Sequence, residues 1–158
     1  MADTKAPNRR SRAVQAAVTA WTDEERAAMQ EGARERRPSA RRDPADERAA
    51  GERDIRAKIA AMPEHDRALA ERVHALVTAA APHLVPRTYY GMPAYARDGR
   101  IVCFFKPASK FKERYSTLGF EQQANLDQGS MWPTAFALTD LRPADEARIT
   151  ELVKQAAG

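Results

Sequence analysis

Apolar residues in this chain follow two periods, one typical of helices and one typical of strands. In residues 63–82 they recur every three or four positions, whereas between residues 88 and 138 they alternate with polar residues or form short runs. Prolines and capping residues mark the element ends. The pattern predicts helices over Asp23–Arg36, Asp43–Met62, Pro63–Pro82 and from Pro143 onward, and strands over Thr88–Tyr90, Ala94–Arg97, Arg100–Lys106, Arg114–Phe120 and Trp132–Leu138.

The order of these elements predicts the fold class. Helices come first, an uninterrupted series of strands follows, and one helix ends the chain, with no alternation of strands and helices and no internal repeat. Such an order is typical of an α+β fold in which helices pack on one face of an antiparallel sheet. We therefore predict this fold, preceded by an N-terminal helical extension.

Short motifs support several of these boundaries. Thr22 followed by Glu25 matches a capping box, and Asp43 before a proline matches a helix start. The dipeptide Asp98-Gly99 tolerates positive φ at both central positions of a type I′ turn, so it predicts a β-hairpin. The segment Tyr90–Pro93, read Tyr-Gly-Met-Pro, is predicted to form a second turn.

Charge divides the chain into two parts. The chain has 158 residues, enough for one ordinary domain, and its net charge of +4 lies within residues 1–42. We predict a basic, partly disordered extension with one short helix over residues 1–42 and the α+β domain over residues 43–158. Residues 1–12 are expected to be disordered, and residues 37–42 are expected to form a linker.

Composition narrows the classes of function. Arginine clusters at residues 9–12 and 34–42 attract polyanions, but such tails are commonly only solvated, so nucleic-acid binding is a weaker hypothesis. No apolar stretch is long enough to cross a bilayer and no leader-like segment is evident, so we expect a cytoplasmic protein without membrane association. The single cysteine, Cys103, lies in a predicted strand and is expected to be a packed thiol.

Catalytic motifs are not evident. The serines lie in no Gly-x-Ser-x-Gly elbow and have no histidine nearby in sequence. His65 and His74 are nine residues apart, which places them on opposite sides of one helix, and His83 lies beyond its end. Each histidine is expected to be a surface or packing residue, and the protein is expected not to be an enzyme.

Three features resemble one family. The segment from Tyr90 to Tyr95, the hairpin at Gly99 and the segment Met131–Leu138 resemble the YdhG-like family, a bacterial domain usually grouped with frataxin-like folds; the resemblance covers about residues 57–156. It implies a frataxin-like αβ sandwich. Some members of the wider family are described as iron chaperones. The resemblance therefore also implies that this protein binds Fe²⁺ and that its partners are iron–sulfur or haem assembly proteins.

The residues themselves offer one candidate iron site. Asp43, Glu47 and Asp54 share one face of the second predicted helix, and hard cations favour carboxylate oxygens. Asp54, however, lies seven residues beyond Glu47, or about 10 Å along the helix. The alternative is that Asp43 caps the helix while the other two are solvated or paired with neighbouring basic residues.

A second candidate site lies around the Tyr-Gly-Met-Pro segment. Its residues are Tyr89, Tyr90 and Met92, with Lys106 and Lys110 from a run in which basic residues are opposed only by Glu113. Tyrosine and methionine offer adaptable apolar surface, and the lysines attract an anionic ligand or an acidic protein. The alternative is a turn that shapes the sheet, with lysines that protect an edge strand from aggregation.

Two hypotheses follow for the function. The first is a small, non-catalytic cytoplasmic binding protein that binds or delivers iron, where the iron is implied by the resemblance alone. The second is a metal-independent ligand- or protein-binding module that uses the Tyr-Gly-Met-Pro segment and its lysines.

Overall fold

The computed structural model describes residues 20–36 and 43–158. These residues form an α+β fold, as predicted. The helices are α1 (Asp23–Glu35), α2 (Pro44–Ala60), α3 (Glu64–Ala80) and α4 (Pro143–Ala157); the strands are β1 (Val85–Tyr89), β2 (Met92–Arg97), β3 (Arg100–Lys106), β4 (Ser116–Phe120) and β5 (Ala135–Leu138); and a 3₁₀-helix spans Ser109–Phe111. Within the described ranges, no helix combines the length and the apolar character that a membrane crossing requires.

The strands form an antiparallel meander in the order β1-β2-β3-β4-β5. The β2–β3 hairpin turns at Asp98 and Gly99, whose φ values are +52° and +76°. Positive φ at both positions is what a type I′ turn requires, so the hairpin prediction is confirmed. Tyr90 and Gly91 join β1 to β2 in the same way, with φ of +52° and +75°.

One face of the sheet carries the core. Tyr95 lies opposite Cys103, Cys103 opposite Phe120, and Phe105 opposite Leu118, so these side chains lie on one face. Three helices cover this face as predicted, and they contribute Ile55 and Ile59 from α2, Leu69, Val73 and Val77 from α3, and Ile149 and Val153 from α4. Burial raises the pKa of the Cys103 thiol to about 12, which agrees with the predicted packed thiol.

The predicted four-residue turn at Tyr90–Pro93 is wrong. Tyr89 lies opposite Met92, so the turn is only Tyr90-Gly91, and Met92 and Pro93 belong to β2. Pro93 is tolerated because it lies where β2 pairs with β1 and has no partner in β3.

Several other predicted boundaries differ from those observed. The first strand begins at Val85 rather than Thr88, since β1 is an edge strand and accommodates a proline. The strand predicted from Arg114 begins at Ser116, because Lys112 follows the 3₁₀-helix with φ of +52° and turns the chain. The last strand begins at Ala135 rather than Trp132.

The helix starts follow the predicted signals. Thr22 and Glu25 form the capping box at α1, where each side chain bonds the other residue's backbone N–H at 2.9–3.1 Å. Asp43 precedes α2, although its side chain makes no capping hydrogen bond. The predicted disorder of residues 1–12 and the predicted linker over residues 37–42 lie outside the described residues, as do most of the arginines in the two basic clusters.

Candidate functional site

A groove of about 710 Å³ lies between α2 and α3. Helix α2 lies close to β1 at Gly51, where an added Cβ would lie 1.8 Å from the Pro86 carbonyl oxygen, and Pro86 also lines the groove. Small side chains on the two helices keep the groove open. Its walls include Ala45, Ala49, Ala75, Thr78, Ala79, Leu84 and Pro86.

A chain of four hydrogen-bonded side chains lines this groove. The buried His74 bonds the Tyr95 hydroxyl through Nδ1 and the Glu52 carboxylate through Nε2, each at 2.9 Å. A carboxylate only accepts hydrogen bonds, so in the neutral ring the proton lies on Nε2 and Nδ1 accepts from the tyrosine hydroxyl. Arg56 completes the chain and donates to Glu52 Oε1 at 2.6 Å.

The groove environment sets the charge of these groups. Burial raises the pKa of Tyr95 well above its ordinary value, so the hydroxyl keeps its proton and remains a donor. Burial also raises the pKa of Glu52, but the hydrogen bonds from His74 and Arg56 and the positive charge of Arg56 lower it further, and the net shift is downward. A negatively charged carboxylate therefore lines an otherwise largely apolar groove.

One oxygen of this carboxylate remains available. His74 and Arg56 both bond Oε1, whereas Oε2 accepts no hydrogen bond from the part of the chain that the structure describes. The Glu52 side chain is 29% exposed and lines the groove. Arg48, by contrast, is engaged by the backbone carbonyls of His83 and Leu84.

Two of the candidate iron ligands, Glu47 and Asp54, lie on α2, and the third, Asp43, directly precedes this helix. Asp43, Glu47 and Asp54 are all exposed, and no ion pair within the described ranges involves them. Glu47 and Asp54 line one shallow depression together with Glu35 of α1, whereas Asp43 does not reach it. The described residues contain no group of three or more His, Cys, Asp or Glu side chains placed to hold a metal ion.

Helix α1 covers part of the Tyr-Gly-Met-Pro segment. Its Glu35 carboxylate accepts hydrogen bonds from the backbone N–H groups of Tyr90 and Gly91 at 2.8 and 2.9 Å. The ring of Tyr90 packs against Gly32 of α1, and Met92 is buried, with 6% of its surface exposed. The predicted ligand surface is thus partly occupied by the chain itself.

The other predicted ligand residues also have internal partners. Tyr89 donates to Glu121 at 3.3 Å, and its burial, with the nearby Glu121 charge, raises its pKa to about 12. Lys106 pairs with Glu113 at 2.6 Å, and Lys110 pairs with Glu31 of α1 at 2.8 Å. Glu113 is the only acidic residue within this run, but α1 supplies further carboxylates from another part of the chain.

The sequence did not predict the site formed by His74 and its two hydrogen-bond partners, Glu52 and Tyr95. Their only sequence signal is that His74 lies between Val73 and Val77 on the apolar stripe of α3, where a polar side chain must find a buried partner. Those partners are 22 residues before it and 21 residues after it in the chain. These three side chains come into contact only when the helices pack on the sheet, and no local sequence pattern predicts that packing.

Comparison of this chain with protein-family models, with curated proteins and with solved structures found no match. The YdhG-like resemblance and the frataxin-like sandwich thus remain predictions.

Proposed function

We propose that this chain is a small, non-catalytic binding protein that holds a small, largely apolar molecule with an N–H or O–H donor in the groove between α2 and α3. The observation that carries the proposal is Glu52, which lines an alanine-walled groove and whose Oε2 accepts no hydrogen bond within the described residues. Like the second hypothesis from the sequence, the proposal needs no metal, but it places the ligand in the groove instead of at the Tyr-Gly-Met-Pro segment.

The polar groups of the groove favour a donor over an anion. Glu52 and Glu71 supply carboxylates, while Arg56 already pairs with Glu52 and Arg48 already bonds backbone carbonyls. An incoming anion would have to break one of these arginine contacts and would meet two carboxylates. An amine or hydroxyl donor gains a charge-assisted hydrogen bond without displacing anything.

The size of the groove suits this class of ligand. Its volume of about 710 Å³ lies within the range of roughly 300–1,000 Å³ that small-molecule sites occupy. Apolar walls and few polar groups are also typical of such sites. The alanines contribute contact area without filling the space, so a flat apolar body can lie between the two helices.

A pair of probes with one shared ring system tests the proposal. Tryptamine carries an ammonium group, and indole-3-acetate carries a carboxylate on a similar indole. In ¹H–¹⁵N NMR titrations of the full chain, tryptamine should shift the backbone amides of groove residues such as Ala49, Ala75 and Thr78 saturably. Indole-3-acetate should bind much more weakly. Equal binding of both probes, or shifts spread over the whole surface, would contradict the proposal.

Matched variants then locate the binding site. Ala75→Leu fills the groove from α3, whereas Ala68→Leu places the same side chain at an exposed position two turns earlier, outside the groove. We expect the first variant to abolish tryptamine binding and the second to leave it intact. Glu52→Gln should weaken binding, because the charge that attracts the ammonium group is lost.

The frataxin-like sandwich and the iron-delivery role, with haem or iron–sulfur assembly proteins as partners, form a separate proposal that rests on the resemblance alone. A ferrous titration of the full chain tests the iron proposal without bearing on the groove, since the groove as proposed needs no metal.

A further inference from the structure

Carboxylates, rather than apolar side chains, hold α1 on the domain. Only Ala28 and Gly32 of this helix are buried. Glu31 lies between Lys58 and Lys110, with both contacts at 2.8 Å, and Glu24 pairs with Lys112 at 2.6 Å. Glu35 accepts the two N–H groups of the β1–β2 turn.

The surface beneath α1 has the chemistry of an anion receptor. We define the α1-binding surface as Lys58, the Tyr90-Gly91 turn, Lys110 and Lys112. The turn directs two successive backbone N–H groups at one carboxylate, an arrangement that recurs in anion sites. The three lysines come from α2 and from the 3₁₀-helix region, so the fold gathers positive charge from distant parts of the chain at one place.

The shape of the same surface selects for a helix with a small residue. The Tyr90 ring lies so close to Gly32 that an added Cβ would come within 2.7 Å of a ring carbon. The contacting positions 24, 28, 31, 32 and 35 form a single stripe, because they recur at helical spacing. The surface therefore recognises a pattern of three acidic residues interleaved with two small ones.

We propose that the α1-binding surface is a docking site for an acidic helix of a partner protein, and that α1 occupies it as an internal ligand in the free protein. Exchange is feasible because partly exposed ion pairs contribute little each, and α1 buries only two small side chains. A partner helix with the same stripe offers equivalent contacts. This site lies apart from the groove and does not depend on the function proposed for it.

The internal ligand itself supplies the probe. A fluorescein-labelled peptide with the sequence of residues 20–36 carries the whole stripe, and fluorescence anisotropy reports its binding to the full-length protein. Wild-type protein should bind the peptide weakly, because the attached α1 competes at a high effective concentration. A peptide with glutamine in place of Glu31 and Glu35 should not bind.

Two variants release α1 by independent routes. Glu31→Gln with Glu35→Gln removes its charged anchors, and Gly32→Leu forces a clash with the Tyr90 ring. Both should bind the peptide about tenfold more tightly than wild type, or better, since the internal competitor is lost. The control is Asp127→Asn with Glu151→Gln, which changes the net charge equally at exposed positions away from the surface and should behave as wild type.

Substitutions in the α1-binding surface itself complete the test. In the released variants, Lys110→Gln should lower the peptide affinity, and added salt should lower it further. Equal peptide affinity of wild type and both released variants would overturn the proposal. Equal binding of the acidic and the glutamine peptides would also overturn it, because the surface would then not recognise the carboxylates.

Discussion

At the scale of single residues, Gly51 sets how closely α2 approaches the sheet. Gly→Ala within a helix normally stabilises by roughly 0.5–1 kcal/mol. Here the new Cβ would meet the Pro86 carbonyl oxygen at 1.8 Å, and a backbone atom cannot rotate away. We therefore expect Gly51→Ala to lower the free energy of unfolding by about 1–3 kcal/mol, as overpacked cores do. Denaturant unfolding measures this change, and an increase in stability would contradict the packing described here.

Glu52 should make stability depend on pH in a defined window. Its pKa in the folded state lies below the ordinary value of 4.5, so the unfolded chain binds a proton more readily. The stability that the ionised Glu52 contributes to the folded state is thus fully present above pH 4.5. It is lost as the pH falls through the lower pKa that Glu52 has in the folded state.

The measurement compares wild type with Glu52→Gln. The difference in free energy of unfolding between the two proteins should shrink when denaturant titrations move from roughly pH 6 to pH 3. Glu71→Gln, at an exposed carboxylate of the same groove, serves as the control and should show a smaller change. A difference that is constant with pH would show that the His74 and Arg56 contacts do not stabilise the ionised carboxylate.

At the scale of elements, Asp66 connects the start of α3 to the sheet. Its side chain, only 4% exposed, accepts hydrogen bonds from the Ser109 backbone at 3.0 Å, from the Ser109 hydroxyl and from the buried Ser116 hydroxyl at 3.3 Å. Asp66→Ala leaves these donors without their partner, which should cost about 2–3 kcal/mol of stability.

The exposed Glu64 gives a matched control for Asp66. It lies in the same first turn of α3, so Glu64→Ala changes the helix-dipole interaction to a similar degree without touching the sheet. Thermal unfolding should show a clear loss for Asp66→Ala and little change for Glu64→Ala. Similar losses in both variants would show that Asp66 acts through the helix start alone.

Local sequence patterns predicted the helices and strands but not the tertiary contacts between them. The capping box at Thr22, the turn at Asp98 and the apolar stripe of α3 act within a few residues, so the sequence alone sufficed for them. The docking of α1 depends on Glu35 reaching amides 55 and 56 residues away, and no periodicity reports such a contact. The same applies to the hydrogen-bonded chain at His74.

At the scale of the whole molecule, the two proposed functions use two separate surfaces. The groove lies between α2 and α3, and none of the three carboxylates suggested for iron lines it. Asp54 is seven residues from Glu47, about 10 Å along the helix, while oxygen ligands of a hard cation lie about 2–2.6 Å from the metal. Asp43 and Glu47 alone would form a weak, unselective site.

A ferrous titration under anaerobic conditions tests the iron-delivery proposal directly. From the geometry, we expect calorimetry to show equal, weak heats with Fe²⁺ and Mg²⁺, and no change when Asp43, Glu47 and Asp54 are replaced by their neutral amides. Saturable, micromolar binding of Fe²⁺ alone that the three amides abolish would instead support the iron-delivery role. In that case the side chains of α2 would have to rearrange around the ion, because their spacing along a straight helix does not allow them to share it.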